Sequence, residues 1–253
     1  MLAAWAASPA RFREDANAEE DLVLGGYRDR VLIELAQNAA DAASRAGVRG
    51  RLRFELNSAD AVLRASNTGA PLDAAGVESA STLRASAKRD DAAVGRFGVG
   101  FAAVLAVSDE PSMLTNSGSV TWALARTRAD LASIPELADE VRRRGDALPV
   151  LRLPYASDAR PSAQGFDTEV VLPLRDDAAV ALVRGLLADI DAVLLLTLPS
   201  LASVEIVIDG TARELTAEPT SDGVVVDGIR WIVQETTGRL DPDLLRDRPV
   251  EER

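Results

Sequence analysis

Between Arg28 and Arg45 the apolar residues Leu32, Leu35, Ala39, Ala42 and Ala43 recur at α-helical spacing, and Gly47 follows as a stop. The period then changes to two. Arg51 to Leu56 and Ala61 to Ser66 alternate apolar and polar residues across the turn-prone Asn57-Ser58-Ala59-Asp60, the pattern of a hairpin. Asp73 stands as the N-cap of a helix to about Leu83, Arg84 to Gly95 is a polar stretch without periodicity, and Gly98 to Val107 returns to helix. A long helix, strands, a helix pair around a loop and then more strands is the order of an α+β fold. The expectation is a two-layer sandwich of a mixed, mostly antiparallel sheet with helices on one face.

The rest of the chain extends this pattern. Residues 1–26 read as a loosely structured lead-in with a short helix around Glu14 to Leu24. Ser112 to Thr115 and Val120 to Ala125 read as a strand pair, Asp130 to Arg144 as an exposed helix, and Val150 to Leu153 and Thr168 to Leu174 as strands. Asp177 is placed to cap a helix to Ile190. Strands follow at Val204 to Ile208, Arg213 to Thr216, Val224 to Val226 and Ile229 to Gln234, and Asp241 to Arg253 is a charged linker. At 253 residues against the ~150 of a typical domain, this divides into a principal unit at 1–175 and a helix-plus-strand extension at 176–253, compatible with the start of a middle region.

Composition narrows the chemistry. With no Cys and no His, thiolate or imidazole zinc sites, disulfides and Ser-His-Asp catalysis are excluded. Carboxylate, amide and backbone chemistry is left, which suits phosphate, Mg²⁺ and activated water. A net charge of −12 argues against nucleic acid or an anionic membrane as the main partner. The opening MLAAWAASPA lacks a basic start and Pro199 interrupts the longest apolar run, so a cytoplasmic location is expected.

Four segments can carry chemistry. In ELAQNAADA, Glu34, Asn38 and Asp41 fall in a stripe about 60° wide beside the apolar face. In VGRFGVGF, the glycines at 95, 98 and 100 allow close backbone approach to a phosphate, at the start of a helix whose amides point toward it. Ser66-Asn67-Thr68-Gly69-Ala70-Pro71 ends a strand, and Phe166-Asp167-Thr168 begins one. Taken singly, these are a solvated helix stripe, a glycine turn, an Asx turn and a strand start.

In chain order the four segments resemble the N-terminal ATPase module of the gyrase, Hsp90, histidine kinase and MutL superfamily, with the closest likeness to Hsp90 and to the Hsp90-like repeats of sacsin. ELAQNAADA is similar to the Hsp90 N box, SNTGAP stands where the family has Asp-x-Gly-x-Gly, GRFGVGFAAVLAVSD is similar to the glycine box, and Phe166 to Thr168 fall where the family has its Gly-Thr box. The likeness runs from Tyr27 to Leu174 and implies the Bergerat ATP-binding fold. It implies that Glu34 orients the attacking water, that Asn38 holds Mg²⁺, and that Asp41 and Arg45 support the ribose and phosphates. It implies that Asn67 reads the base, with Thr168 placed to offer it a hydroxyl, that Gly69 and Leu72 belong to the nucleotide site, that the backbone of Arg96, Phe97, Gly98, Val99, Gly100 and Phe101 cradles the phosphates, and that 84–95 is an ATP lid carrying Lys88.

Two departures stand out. Asn67 replaces the family's Asp and Pro71 its following Gly, so the adenine contact loses charge assistance, roughly 1 kcal/mol. The resemblance implies ATP or ADP with Mg²⁺, a protein client or partner domain, and an ATP-dependent homodimer. Two functions stay open at this point: an ATP-hydrolysing chaperone-like module, and a nucleotide-gated interaction module with little turnover.

Overall fold

The computed structural model describes residues 1–24, 27–82, 100–161, 163–234 and 238. Its helices are α1 (Leu2–Ala7), α2 (Pro9–Leu24), α3 (Val31–Ala46), α4 (Ala74–Thr82), α5 (Leu124–Ala132), α6 (Ala138–Arg144), α7 (Asp177–Ala188) and α8 (Ala192–Thr197). Its strands are β1 (Gly50–Asn57), β2 (Val62–Asn67), β3 (Ser112–Thr115), β4 (Ser119–Thr121), β5 (Tyr155–Ser157), β6 (Thr168–Pro173), β7 (Leu201–Ile208), β8 (Thr211–Thr220), β9 (Gly223–Val226) and β10 (Ile229–Trp231). Short 3-10 helices occupy Tyr27–Arg30, Gly100–Ala106 and Pro135–Leu137. No helix among the described residues is long and apolar enough to cross a membrane.

The fold is α+β. Its strands form one sheet in the order β10-β9-β8-β7-β1-β2-β6-β3-β4-β5. Among the described strands only β1 and β7 run parallel; the other pairings are antiparallel. Alternation along β1 explains the layering. Leu52, Phe54 and Leu56 are buried with Leu35 and Ala39 of α3 and Val183 and Leu187 of α7. Between them, Arg53 and Glu55 face the other way. There, Arg53 pairs with Glu55 at 3.1 Å and with Glu205 at 3.6 Å, and Arg64 with the buried Glu169 at 3.0 Å. At one end of the sheet Asp209 accepts from the Ser58 amide at 2.8 Å and pairs with Arg184, and that amide first, then the guanidinium, holds its carboxyl below the usual range.

Where the expected elements differ, burial gives the reason. The lead-in is two packed helices, because Trp5 and Phe12 meet edge to face at 5.4 Å and are buried with Leu131, Leu137, Leu148 and Leu153. Such an aromatic pair adds ~0.5–1.5 kcal/mol beyond its area. The expected exposed helix from Asp130 to Arg144 is instead the end of α5, a 3-10 turn beginning at Pro135, and α6; Leu131 and Leu137 are fully buried in the same cluster. The strand expected from Val120 to Ala125 stops at Thr121, and α5 begins at Leu124. The helix expected from Gly98 is, where described, the 3-10 turn from Gly100. Asp176, not Asp177, caps α7 by accepting from the Ala179 amide at 2.8 Å.

Val150 to Leu153 form no strand, because their amides have another acceptor. Glu19 of α2 takes the Val150 N–H at 2.7 Å and the Leu151 N–H at 3.1 Å. Burial pushes the Glu19 carboxyl up to about 8, against the two amides and nearby Arg152. A proton is therefore taken up on folding between the ordinary value of 4.5 and about 8. Stability from this group is complete below that window and is lost as pH rises through it, on the order of a few kcal/mol. Glu19→Gln keeps an acceptor without the charge. Its urea-unfolding free energy is expected to be flatter than the wild type's between pH 5 and pH 8; parallel pH profiles would show that Glu19 is not the group responsible.

Candidate functional site

The polar stripe of α3 is where the separate segments meet. Leu32, Leu35, Ala36, Ala39, Ala40 and Ala43 bury one side of the helix, and Glu34, Asn38, Asp41 and Arg45 follow its edge. Glu34 and Asp41 are half-buried, the Glu34 side chain 13% exposed, and Asn38 and Arg45 are exposed. At the N-terminal end, Gly100 opens the 3-10 turn directly against Glu34, so that a Cβ on Gly100 would fall on Oε2. Glycine is what lets that backbone reach the carboxylate. Phe101 behind it is buried against Trp122, ring centroids 5.1 Å apart.

At the other end the 68–71 turn is seated on the α3 backbone. The Ala70 amide donates to Ala42 O at 2.9 Å. Gly69 has φ +140°, and a Cβ there would lie 2.6 Å from the Ala42 carbonyl carbon. The Gly69 amide donates to Asp167 Oδ2 at 2.9 Å, the Asp167 amide to Asn67 O at 2.9 Å, and the Arg51 amide to Thr68 Oγ1 at 2.8 Å. The SNTG turn and the FDT segment are thus one hydrogen-bonded unit. From Glu34 to Ala42 the helix rises about 12 Å, which is the span between the two glycine contacts.

Asn67 and Thr168 are direct cross-strand partners, in one row with Leu52 and Thr115 on the helix-covered face. Both are nearly buried, at 8% and 9%. Thr115 is committed to its own turn, accepting from the Ser117 and Gly118 amides at 3.2 and 3.1 Å. Asn67 Nδ2 donates to Thr68 O at 3.4 Å. Leu72 is half-buried against the main core, and Gly76, whose amide is capped by Asp73 Oδ1 at 2.8 Å, packs against it.

The structure therefore brings together Glu34 with Gly100, α3 with Gly69, and Asn67 with Thr168. Lys88, Arg96, Phe97, Gly98, Val99 and the 84–95 segment lie outside the described residues. Two residues were missed in the sequence. Asp167 locks the Gly69 turn, and nothing local signals it. Arg30 pairs with Glu34 Oε1 at 3.3 Å, and its i,i+4 spacing was readable.

Among the described residues no three carboxylates form a metal cage. Two surface clefts, about 380 Å³ beside Arg126 and Tyr155 and about 450 Å³ beside Arg11 and Arg152, share no residue with this cluster. A scan against protein-family models matches none, and a search of curated proteins finds no similar sequence.

Proposed function

We propose that the chain is a Mg²⁺-dependent ATP-binding and ATP-hydrolysing module of the chaperone-like Hsp90 and sacsin kind, working in the cytoplasm. One observation carries the reading: a single helix edge joins a carboxylate abutting a glycine-opened turn to a nearly buried Asn–Thr pair held by a second glycine turn. The pair would meet the base, Asp41 and Arg45 the ribose and phosphates, and the backbone from Gly100 the phosphates. Asn38 would hold Mg²⁺, which neutralises phosphate charge when bound. In hydrolysis the water oxygen bonds to the terminal phosphorus, its proton passes to the Glu34 carboxylate, and the bond to the bridging oxygen breaks with its electron pair on ADP. ATP-dependent pairing of two copies and a protein client belong to the same proposal.

Binding is tested by thermal shift. A ligand that binds only the native state stabilises it by about 2.7 kcal/mol at 100 times Kd. ATP or ADP with Mg²⁺ is expected to raise the Tm, and Asn38→Ala to lose the Mg²⁺-dependent part. No shift with any nucleotide at millimolar concentration would sink the assignment. Phosphate release then separates hydrolysis from nucleotide-gated binding without turnover.

A further inference from the structure

The core face of the sheet runs off one edge without a cover. β10 is the terminal strand, and among the described residues no strand pairs with its far side. Its register sets Ile229 opposite Val226 and Trp231 opposite Val224 of β9. Val226 is fully buried in the main core beside Ala217 of β8, Val224 packs against that core, and α8 packs on both strands. Cross-strand partners share a face, so Ile229 and Trp231 continue the core face by one strand. They are nevertheless 60% and 36% exposed, and Val233, two residues on, is 60% exposed. The opposite edge of the sheet is shielded: Pro154 precedes β5, and the Arg126 guanidinium lies 3.9 Å over the Tyr155 ring. From Ile229 to Val233 the one charge is Arg230, which alternation turns to the other face, where it pairs with Asp222. Residues 235–253 are a poor cover by sequence, because they lack apolar alternation and contain Pro242 and Pro249, which donate no N–H.

This edge is complementary to itself. Val226 and Ile229 flank a two-residue turn in which Asp227 and Gly228 have φ of +50° and +75°, so they are a hydrogen-bonded pair, and the backbone groups of Arg230 and Ile232 point to the free side. A two-fold axis through Trp231, perpendicular to the sheet, lets Arg230 of one copy and Ile232 of the other exchange N–H···O bonds. It sets Ile229 opposite Val233 and brings the two Trp231 side chains together on the apolar face. Centring the axis on Arg230 would instead oppose two guanidinium groups. The axis also keeps the helices of both copies on one side, so that the core face runs on from one copy into the other. We propose that two copies of this chain pair edge to edge through β10. Asn67 ends β2, five strands further in and about 24 Å away, so this pairing needs no nucleotide and stands apart from the ATP reading. Five residues a side make a smaller interface than a tight complex uses, which makes the dimer weak. The net charge of −12 on each copy opposes it until salt screens the repulsion.

Sedimentation velocity of the 253-residue chain without nucleotide, up to about 500 µM protein, is expected to show a monomer–dimer equilibrium that tightens from about 0.02 to 0.5 M NaCl. Trp231→Lys, which sets like charges on the axis, and Ile232→Pro, which removes an N–H pointing to the free side, should each weaken it roughly tenfold or more. Ile232 lies beyond the last β9–β10 pair, so its variant should keep the wild-type Tm within a few degrees. The chain has no Cys, which allows the register to be read directly. With oxidised glutathione, Ile229→Cys mixed with Val233→Cys should form a disulfide dimer that neither variant forms alone, because directly opposed residues have Cα atoms about 4.5 Å apart, within disulfide reach. A monomer at every concentration would overturn the proposal and leave the edge to a strand of another protein. A dimer that both edge variants leave unchanged, or that forms only with Mg·ATP, would place pairing on another surface. Dimerisation of a chain ending at Gln234 but not of the 253-residue chain would make residues 235–253 the cover. Failure to bind any nucleotide would leave the pairing standing.

Discussion

Glu34→Ala is expected to keep ATP affinity within a few fold of the wild type and to lower phosphate release by roughly 10²- to 10⁴-fold. A general base acts chiefly in the transition state, so its removal spares ground-state binding. The carboxylate is enclosed but not sealed, at 13% exposure, with one oxygen tied to Arg30 and the other against Gly100. On the proposed reading basal turnover is expected to be slow and to rise when two copies pair. Phosphate release is measured for wild type and Glu34→Ala. Equal rates would take Glu34 out of the mechanism, and no turnover in the wild type would favour the nucleotide-gated module.

Gly69→Ala should give the largest loss of stability. Its φ of +140° is a conformation that L side chains avoid, and the new Cβ would lie 2.6 Å from Ala42 C and 2.7 Å from both Ala42 O and Ala43 N. These are helix backbone atoms, which cannot swing aside as a side-chain tip can. Strain and overpacking together cost about 2–5 kcal/mol, equivalent to a Tm lower by roughly 5–15 °C. Gly185→Ala is the control. It lies within α7 with nothing within 4 Å of an added Cβ and should gain about 0.5–1 kcal/mol. Urea denaturation of both settles the comparison, and a Gly69→Ala midpoint equal to that of wild type would mean that the turn is not seated on α3.

Local period carried most of what could be read from the sequence. The α3 stripe and the β1–β2 hairpin follow from apolar spacing, and Asp73 does cap α4. The α+β class follows from their order. The pairing of Asn67 with Thr168 could not be read, because strand neighbours distant in sequence leave no local mark; chain order alone placed both near one ligand. Burial by remote partners also hid the N-terminal helices. Trp5 and Phe12 are large apolar residues set among alanines and charges, and Leu131, Leu137, Leu148 and Leu153, more than 110 residues away, complete their cluster. The apolar run Val150 to Leu153 has strand composition, yet Glu19 takes its first two amides, an acceptor that composition does not reveal.

The parallel contact of β1 with β7 bears on how the protein is made. Gly50 pairs with Leu201 and Leu56 with Ile208, so β1, in the middle of the sheet and under α3, meets its second neighbour only after some 150 more residues have been synthesised. At roughly 5–20 residues per second that interval is about 8–30 s. For most of it the β1–β2 hairpin has two open edges, because β6, the other neighbour of β2, spans Thr168–Pro173; once β6 has paired, β1 alone stays open. A nascent chain in that state can pair with another nascent chain, and β7 ends the exposure only when it leaves the ribosome.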